Sequence, residues 1–170
     1  MKALKIIGIT LTFIVVAFLG IGLIMPSYEY QSSIEVSAPV AKCWDTFHDV
    51  KKMNQWLRGF ESLTLISGDS LAVGSLYEIV VTDDGHRMVM TEKLTEVNAP
   101  MRISYELKNE VLTSEYTFSF EGNSPTKITS RYKITGNNIL WKSILFLSKS
   151  YMTGSAADQL SSLKTVIEQP

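Results

Sequence analysis

The chain is poor in the residues that hold metals and form disulfides. It contains one cysteine, Cys43, and two histidines, His48 and His86. A single cysteine excludes an internal disulfide, and these three side chains lack the paired spacing that binds zinc. No glycine-rich phosphate loop follows the first segment either. The sequence therefore predicts neither a metal site nor a cofactor.

A cluster of basic residues is also absent. Lys and Arg number 16 against 17 Asp and Glu, and without Lys2 and Lys5 the remainder is mildly acidic. Nucleic-acid binding depends on phosphate contacts that basic patches make, so we predict no nucleic-acid partner. Apolar residues make up 45% of the chain, which suffices for the core of one domain. Nothing in the sequence sets the oligomeric state.

The start of the chain has a long stretch without charge. From Ile6 to Met25 (residues 6–25) no side chain is charged, and as a helix this stretch measures roughly 30 Å, the thickness of a bilayer's hydrocarbon layer. Lys2 and Lys5 precede it, and the next basic residue is Lys42. The positive-inside bias predicts a single-pass membrane anchor with a cytoplasmic N-terminus. The alternative is a cleaved signal peptide, although those have shorter apolar cores.

The anchor is expected to end where the pattern changes. Pro26 terminates the predicted helix, and Tyr28 and Tyr30 are expected at the membrane interface. The predicted organisation is an anchor over residues 1–27 and one domain over residues 28–170. By the same bias, this domain lies on the far, periplasmic or extracellular, side of the membrane.

After the anchor, strands dominate the pattern. Ile34 and Val36 alternate with polar residues in a first strand. Pro39 suits the first turn of a short helix, and Asp49 can cap a second one. Alternation then recurs in six further segments separated by turn signals such as Asp83-Asp84-Gly85. Because hairpin follows hairpin, we expect an antiparallel sheet.

The last part of the chain has helical periodicity. Asn138 can cap this helix, and apolar residues recur at helical spacing on both sides of Gly154, which is expected to kink or break it. A sheet of this size curls strongly, and only the final helix is long enough to cover its apolar face. The sequence therefore predicts an α+β fold with an interior space between sheet and helix.

Four motifs of this part carry a family resemblance. They are Ile34-Glu35-Val36-Ser37-Ala38-Pro39 leading into Val40 and Trp44, the stretch from Asp49 to Trp56, Gly74-Ser75 before a strand, and the stretch from Leu160 to Glu168. Over residues 28–168 the chain resembles the START/Bet v 1-like (SRPBCC) superfamily, in particular its polyketide cyclase/dehydrase and lipid-transport branch. The resemblance implies a helix-grip fold, here a seven-stranded curved antiparallel sheet over a long C-terminal helix, around an apolar cavity. One transmembrane helix precedes it, which most members lack.

The inward face of this sheet supplies the candidate ligand-binding residues. They are Trp56, Met88, Met90, Glu92, Tyr105, Tyr116, Phe118, Tyr132, Trp141 and Met152. Glu92 shares strand parity with Met88, Met90 and Leu94, and burial there would raise its pKa as a general acid or base requires. Glu92 is therefore the candidate catalytic residue. The alternative is that it reaches solvent or pairs with an arginine.

Three functions are compatible with this pattern. The first, which we favour, is membrane-anchored binding of a small hydrophobic ligand or lipid in the cavity. The second is a cyclase- or hydrolase-type enzyme that uses Glu92 or an Asp45/His48 pair, although that pair also fits an ordinary surface contact. The third function is a tethered protein-interaction module, but the outward side chains predict a solvated, mixed-charge surface: Arg102, Glu106, Thr117 and Arg131.

Two further reactive side chains are given structural interpretations. Cys43 is interpreted as a core residue, and His86 is interpreted as a solvated turn residue.

Overall fold

Seven strands and five helices occupy residues 2–83 and 85–169, the part of the chain that the computed structural model describes. The helices are α1 (Lys2–Ile24), α2 (Val40–His48), α3 (Val50–Trp56), α4 (Ile139–Leu147) and α5 (Lys149–Glu168). The strands are β1 (Ser27–Val36), β2 (Phe60–Ser67), β3 (Leu76–Asp83), β4 (His86–Asn98), β5 (Arg102–Lys108), β6 (Leu112–Gly122) and β7 (Thr126–Gly136). The predicted anchor begins at residue 1 and the predicted domain ends at residue 170, and both of these residues lie outside the described part of the chain.

The strands form one curved antiparallel sheet. Its order is β1-β7-β6-β5-β4-β3-β2. Consecutive strands from β2 to β7 therefore pair as hairpins, and the last strand, β7, also pairs with the first strand, β1. The register shifts between Leu94 and Glu96 in β4 and at two places in β2, and such bulges increase local twist. With α5 across its inner face, this architecture confirms the predicted helix-grip fold.

The two short helices form as their sequence predicts. The Asp49 side chain accepts a hydrogen bond from the Lys51 N–H at 3.0 Å and so caps α3. Trp44 and Phe47 on α2 and Trp56 on α3 are buried. Cys43 is also fully buried, which confirms that it is a core residue.

The β3–β4 hairpin has the tight turn that its sequence indicates. Asp83 pairs with His86 across the turn. Gly85 has φ of +81°, a conformation that glycine adopts without steric cost. Asp84, the middle residue of the predicted signal, lies outside the described residues. His86 is exposed, in agreement with a solvated turn residue.

Tyr28 and Tyr30, for which an interfacial position stays a prediction, pack into the domain. Both belong to β1, which begins at Ser27, directly after the end of α1. Tyr28 is 7% exposed, and Tyr30 stacks on Tyr132 with ring centroids 4.7 Å apart. The physical reason is main-chain pairing, since β1 pairs with β7 along its whole length and draws both rings into the domain.

The C-terminal helix breaks at Ser148. The predicted break at Gly154 is therefore wrong. The Asn138 side chain caps α4 by accepting from the Trp141 N–H at 3.0 Å, as predicted. At Ser148 both the N–H and the hydroxyl bond to the Ile144 carbonyl at 3.0 Å. Gly154 lies inside the continuous helix α5. The helices on either side of Ser148 have different main partners, because α4 packs chiefly against α1 and α5 packs chiefly against β1 and α3.

The solid part of the core lies under the C-terminal half of α5. Leu160, Leu163 and Ile167 are at most 1% exposed and belong to a cluster with Val36 and Phe120. In the preceding half of α5 the buried residue is Ala156. The first half of α5 therefore covers a region of the sheet that its own side chains do not fill.

Candidate functional site

A cavity of about 680 Å³ lies between the inner face of the sheet and the first half of α5. This volume is within the range of small-molecule sites. Its exposed lining residues include Tyr151 and Asp158 on α5 and Met88 on β4. The cavity therefore opens between α5 and the β3–β4 hairpin.

Most of the predicted ligand-binding residues line this cavity. They are Trp56, Met88, Met90, Glu92, Tyr105, Tyr116, Phe118 and Tyr132. Trp141 and Met152 lie outside it. Trp141 belongs to α4, which lies beyond the break at Ser148, and Met152 faces β1, where its sulfur accepts a hydrogen bond from the Tyr28 hydroxyl at 2.8 Å. Trp141 therefore lies on a different helix from the lining residues, whereas Met152 lies on α5 but on its side toward β1.

Two groups stand out among the lining residues that the sequence prediction missed. Ile79, Val81 and Leu107 lie on the inner face of β3 and β5, and strand alternation alone would have identified them. The second group is polar and small, and it recurs every four residues along α5: Ser150, Gly154, Asp158 and Ser162. This spacing keeps them on one helical face. Their small size leaves the space beneath α5 open, but polarity alone suggested a solvent-facing stripe.

A row of tyrosines crosses the inner face of four neighbouring strands. Tyr30, Tyr132, Tyr116 and Tyr105 are direct cross-strand partners in β1, β7, β6 and β5. Successive ring centroids are 4.7, 4.8 and 5.5 Å apart. Burial raises the pKa of Tyr105 and Tyr116, so their hydroxyls stay protonated at neutral pH. The row gives the cavity an aromatic wall with hydrogen-bond donors.

Glu92 brings a carboxyl group into this wall. It lies on β4 in register with Tyr77 on one side and Leu107 on the other. Within residues 2–83 and 85–169 it makes no hydrogen bond or ion pair. Arg58, which also lines the cavity, is paired with Asp83 at 2.8 Å. Burial raises the pKa of Glu92 from 4.5 to about 7, so at neutral pH both protonation states are populated.

A second, smaller cavity of about 140 Å³ lies behind the first. Trp56, Glu92 and Tyr105 line both cavities and form part of the wall between them. His48 lines the smaller one, and its Nε2 is buried without a partner in the described part of the chain. The Trp56 Nε1 is also buried without a hydrogen-bond partner in that part of the chain. The smaller cavity therefore holds buried polar atoms that the protein itself leaves unsatisfied.

His48 is not part of a surface pair with Asp45, contrary to the interpretation from spacing. Its ring packs on Trp44 at 4.2 Å between centroids, and its Nδ1 lies 2.9 Å from the Trp44 carbonyl oxygen. No ion pair joins Asp45 and His48 in the described residues. Burial lowers the pKa of His48, because the charged imidazole is poorly solvated there. The same described residues contain no group of three His, Cys, Asp or Glu side chains placed to hold a metal ion.

Residues 28–168 match the family described as polyketide cyclase / dehydrase and lipid transport. The chain belongs to this family. The match begins one residue after the start of β1 and ends with α5, so it includes every element that lines the cavity. No curated protein has a sequence significantly similar to this one.

Solved structures of low sequence identity share the fold of this family member. The ZhuI aromatase/cyclase from Streptomyces sp. R1128 has a TM-score of 0.69 at 11% identity, over 84% of this chain and 94% of that one. Norcoclaurine synthase from Thalictrum flavum, solved with dopamine and hydroxybenzaldehyde, has a TM-score of 0.61 at 16% identity, over 85% and 89%. The di-domain aromatase/cyclase BexL from the BE-7585A biosynthetic pathway has a TM-score of 0.68 at 13% identity, over 86% of this chain. The chain spans about half of that protein, 52% of its length.

This family member carries α1 in front of the matched residues. The helix is long and apolar enough to cross a bilayer, a property that it shares with signal sequences. Its side chains are almost all exposed, including Phe13, Leu23 and Ile24. The helix therefore lacks protein partners over most of its length in the described part of the chain.

Proposed function

We propose that this family member binds a small apolar molecule or lipid in the 680 Å³ cavity beneath α5, while α1 anchors it in a membrane. The observation that carries the proposal is a cavity of ligand size with a largely apolar and aromatic wall. The proposed ligand contacts are the predicted residues that line it: Trp56, Met88, Met90, Glu92, Tyr105, Tyr116, Phe118 and Tyr132. The proposed segments are an anchor over residues 1–27 and a binding domain over residues 28–170.

The wall chemistry supports an apolar ligand. Ile79, Val81 and Leu107 form a cluster to which Met90 adds its side chain, and methionine adapts its shape to varied partners. A ligand that buries on the order of 300 Å² of apolar surface gains about 7 kcal/mol at the usual transfer coefficient. Association costs of at least about 4 kcal/mol oppose this gain. Additional contacts to the tyrosine hydroxyls would therefore decide both affinity and specificity.

The exposed surface of α1 supports the anchor. Apolar side chains such as Ile7, Leu11 and Val16 are more than half exposed, and a bilayer is the environment that stabilises such a surface over the length of a helix. Lys2 and Lys5 precede the apolar stretch. By the positive-inside bias this orientation leaves the N-terminus in the cytoplasm and the cavity on the far side.

Native mass spectrometry of the full chain, released from detergent micelles, tests the ligand. The wild type is expected to retain an apolar adduct. Met90→Trp should retain much less of it, because a bulkier side chain would project into the space where the ligand lies. Thr91→Trp is the matched control, since Thr91 is exposed on the opposite face of the same strand. Absence of any adduct on the wild type, or equal adducts on both variants, contradicts the proposal.

A second candidate function is acid–base catalysis on the bound molecule by Glu92. The observation in its favour is an unpaired carboxyl in the cavity whose pKa is raised to about 7. Glu92→Gln is expected to keep the ligand adduct but to stop any chemical change in it, as followed by the adduct mass over time. If the adduct mass stays constant with the wild type as well, the protein is a binding protein and not an enzyme for that ligand.

A further inference from the structure

The last turns of α1 are bound to α4. The Gly22 N–H donates to Ser143 Oγ at 3.0 Å, and the Ser143 hydroxyl donates to the Phe18 carbonyl at 2.7 Å. A Cβ at Gly22 would overlap the Ile139 carbonyl oxygen. The two helices therefore touch through main-chain atoms, and α4 is held at the carboxyl end of the proposed span.

Apolar side chains surround this contact on the outside. They belong to the end of α1, to α4 and to the first turn of α5: Leu23, Ile24, Met25, Ile139, Leu140, Leu147 and Tyr151. Leu147 and Tyr151 are each 61% exposed. Soluble proteins rarely leave such a patch open to water. The basic residues nearby, Lys142 and Lys149, suit the charged headgroup layer of a membrane.

We propose that α4 lies in the interfacial layer of the membrane that α1 spans, with Leu140 and Leu147 directed toward the acyl chains. The inference rests on the proposed anchor. The contact with α4 is continuous with the membrane span, because Gly22 lies about 3 Å along the helix axis from the end of α1 at Ile24. An element bonded there stays at the depth of the membrane surface. The occupant of the apolar patch is then the bilayer in which α1 is already placed.

The docking of α4 would also set the position of the cavity opening relative to the membrane. Ser150 and Tyr151, which line it, follow closely after the end of α4 at Leu147. A docked α4 therefore holds one end of the cavity opening at the membrane surface. An apolar ligand would enter from the bilayer with little passage through water, so the ligand class that fits this site is one that partitions into membranes.

Depth-dependent fluorescence quenching of the full chain tests this docking. Each nanodisc holds one copy, and single-cysteine variants in a Cys43→Ala background carry an environment-sensitive dye. Leu140→Cys and Leu147→Cys report on α4 and Ala17→Cys on α1. Lys127→Cys is the remote control, because Lys127 is exposed and pairs with Glu35 at the end of β1 that lies away from α1. All four labelled side chains are exposed, so the dyes leave the core undisturbed.

Lipids brominated along their acyl chains are expected to quench the α4 dyes severalfold more than the Lys127 dye and less than the Ala17 dye. Quenching of the α4 dyes equal to that at Lys127, together with strong quenching at Ala17, overturns the docking of α4 but leaves the anchor intact. Weak quenching at Ala17 overturns both. Protection of the α4 dyes from brominated lipid and from aqueous iodide alike shows that protein covers the patch, and it also overturns the proposal.

Discussion

Glu92 is the residue whose environment departs most from that of an exposed carboxylate. Arg58, a cation that lines the same cavity, is paired with Asp83, and burial is the cause that raises the pKa of Glu92. The folded chain therefore holds the proton up to about pH 7, whereas an unfolded chain releases it near pH 4.5. Folding and protonation of this carboxyl are thereby linked.

The linkage predicts how stability depends on pH. Between pH 4.5 and about 7 the folded state binds more protons at Glu92 than the unfolded state does. The contribution of Glu92 to the free energy of unfolding therefore falls as pH rises through this window, by up to about 3 kcal/mol. Urea unfolding of the full chain in micelles at pH 5 and pH 8 measures it, and Glu92→Gln should remove this decrease.

Glu121→Gln is the control for that experiment. Glu121 lies exposed on β6, outside the cavity lining, and its replacement is expected to leave the pH dependence of the wild type unchanged. If Glu92→Gln and the wild type lose the same stability between the two pH values, Glu92 is solvated and the buried carboxyl is refuted.

The contribution of His48 to the free energy of unfolding depends on pH in the opposite sense to that of Glu92. Burial lowers its folded pKa below 6.5, so the unfolded state binds more protons as pH falls past that value. Its contribution is present above the unfolded pKa and is lost on acidification. An NMR titration of the imidazole protons, with His48→Gln to assign the signal, should place the midpoint of His48 below 6.5. A midpoint at or above 6.5 contradicts the buried ring.

Residue patterns predicted the sheet face on which Glu92 lies but not the contact partner of His48, and the difference has a physical reason. Alternation along β4 sets which face Glu92 shares with Met88 and Met90, whatever the neighbouring strands contain. For His48, helical spacing allows a contact either with Asp45 at i−3 or with Trp44 at i−4. The choice depends on which face of α2 is buried against β6. That is a tertiary property that single spacings do not contain.

At the scale of elements, the contact between α1 and α4 makes a specific demand on glycine. Gly20 and Gly22 lie two positions apart in α1, on either side of Ile21. A Cβ would meet open space at Gly20, but it would meet the main chain of α4 at Gly22. Gly22→Ala is expected to push α4 away, at a cost of about 1–3 kcal/mol for overpacking. Hydrogen exchange of the α4 amides should then accelerate roughly tenfold or more.

Gly20→Ala is the matched variant, because it gains the same helix propensity without the steric overlap. Its α4 amides are expected to exchange as in the wild type. Equal exchange rates in the two variants would show that α1 and α4 do not touch at Gly22.

The elements themselves were largely predictable, whereas their limits were not. Period-two alternation identified the strands because one face of each is buried. The break was expected at Gly154, but helices tolerate an interior glycine. The break at Ser148 was missed because it separates helices with different tertiary partners, α1 for α4 and β1 for α5. The polar face of α5 was missed as a cavity lining, because hydrophobic periodicity reveals only the side that packs against the core.

At the scale of the whole molecule, solid core and hollow are separated along α5. In the C-terminal half, Leu160, Leu163 and Ile167 belong to the buried cluster that stabilises the domain. The first half spans the cavity with small and polar residues, and therefore adds little to the core. The family match accounts for the fold, but members of one fold differ in chemistry, so the ligand depends on the lining side chains.

Photolabelling tests most directly the proposal that apolar molecules occupy the space beneath α5. The full chain in nanodiscs would be irradiated with a diazirine-bearing fatty acyl probe and digested for mass spectrometry. We predict labels on the inner face of the sheet, at Met90, Tyr105 and Tyr116, which Met90→Trp removes and Thr91→Trp retains. Labels confined to α1 and α4, with none on β4 to β6, would contradict the account.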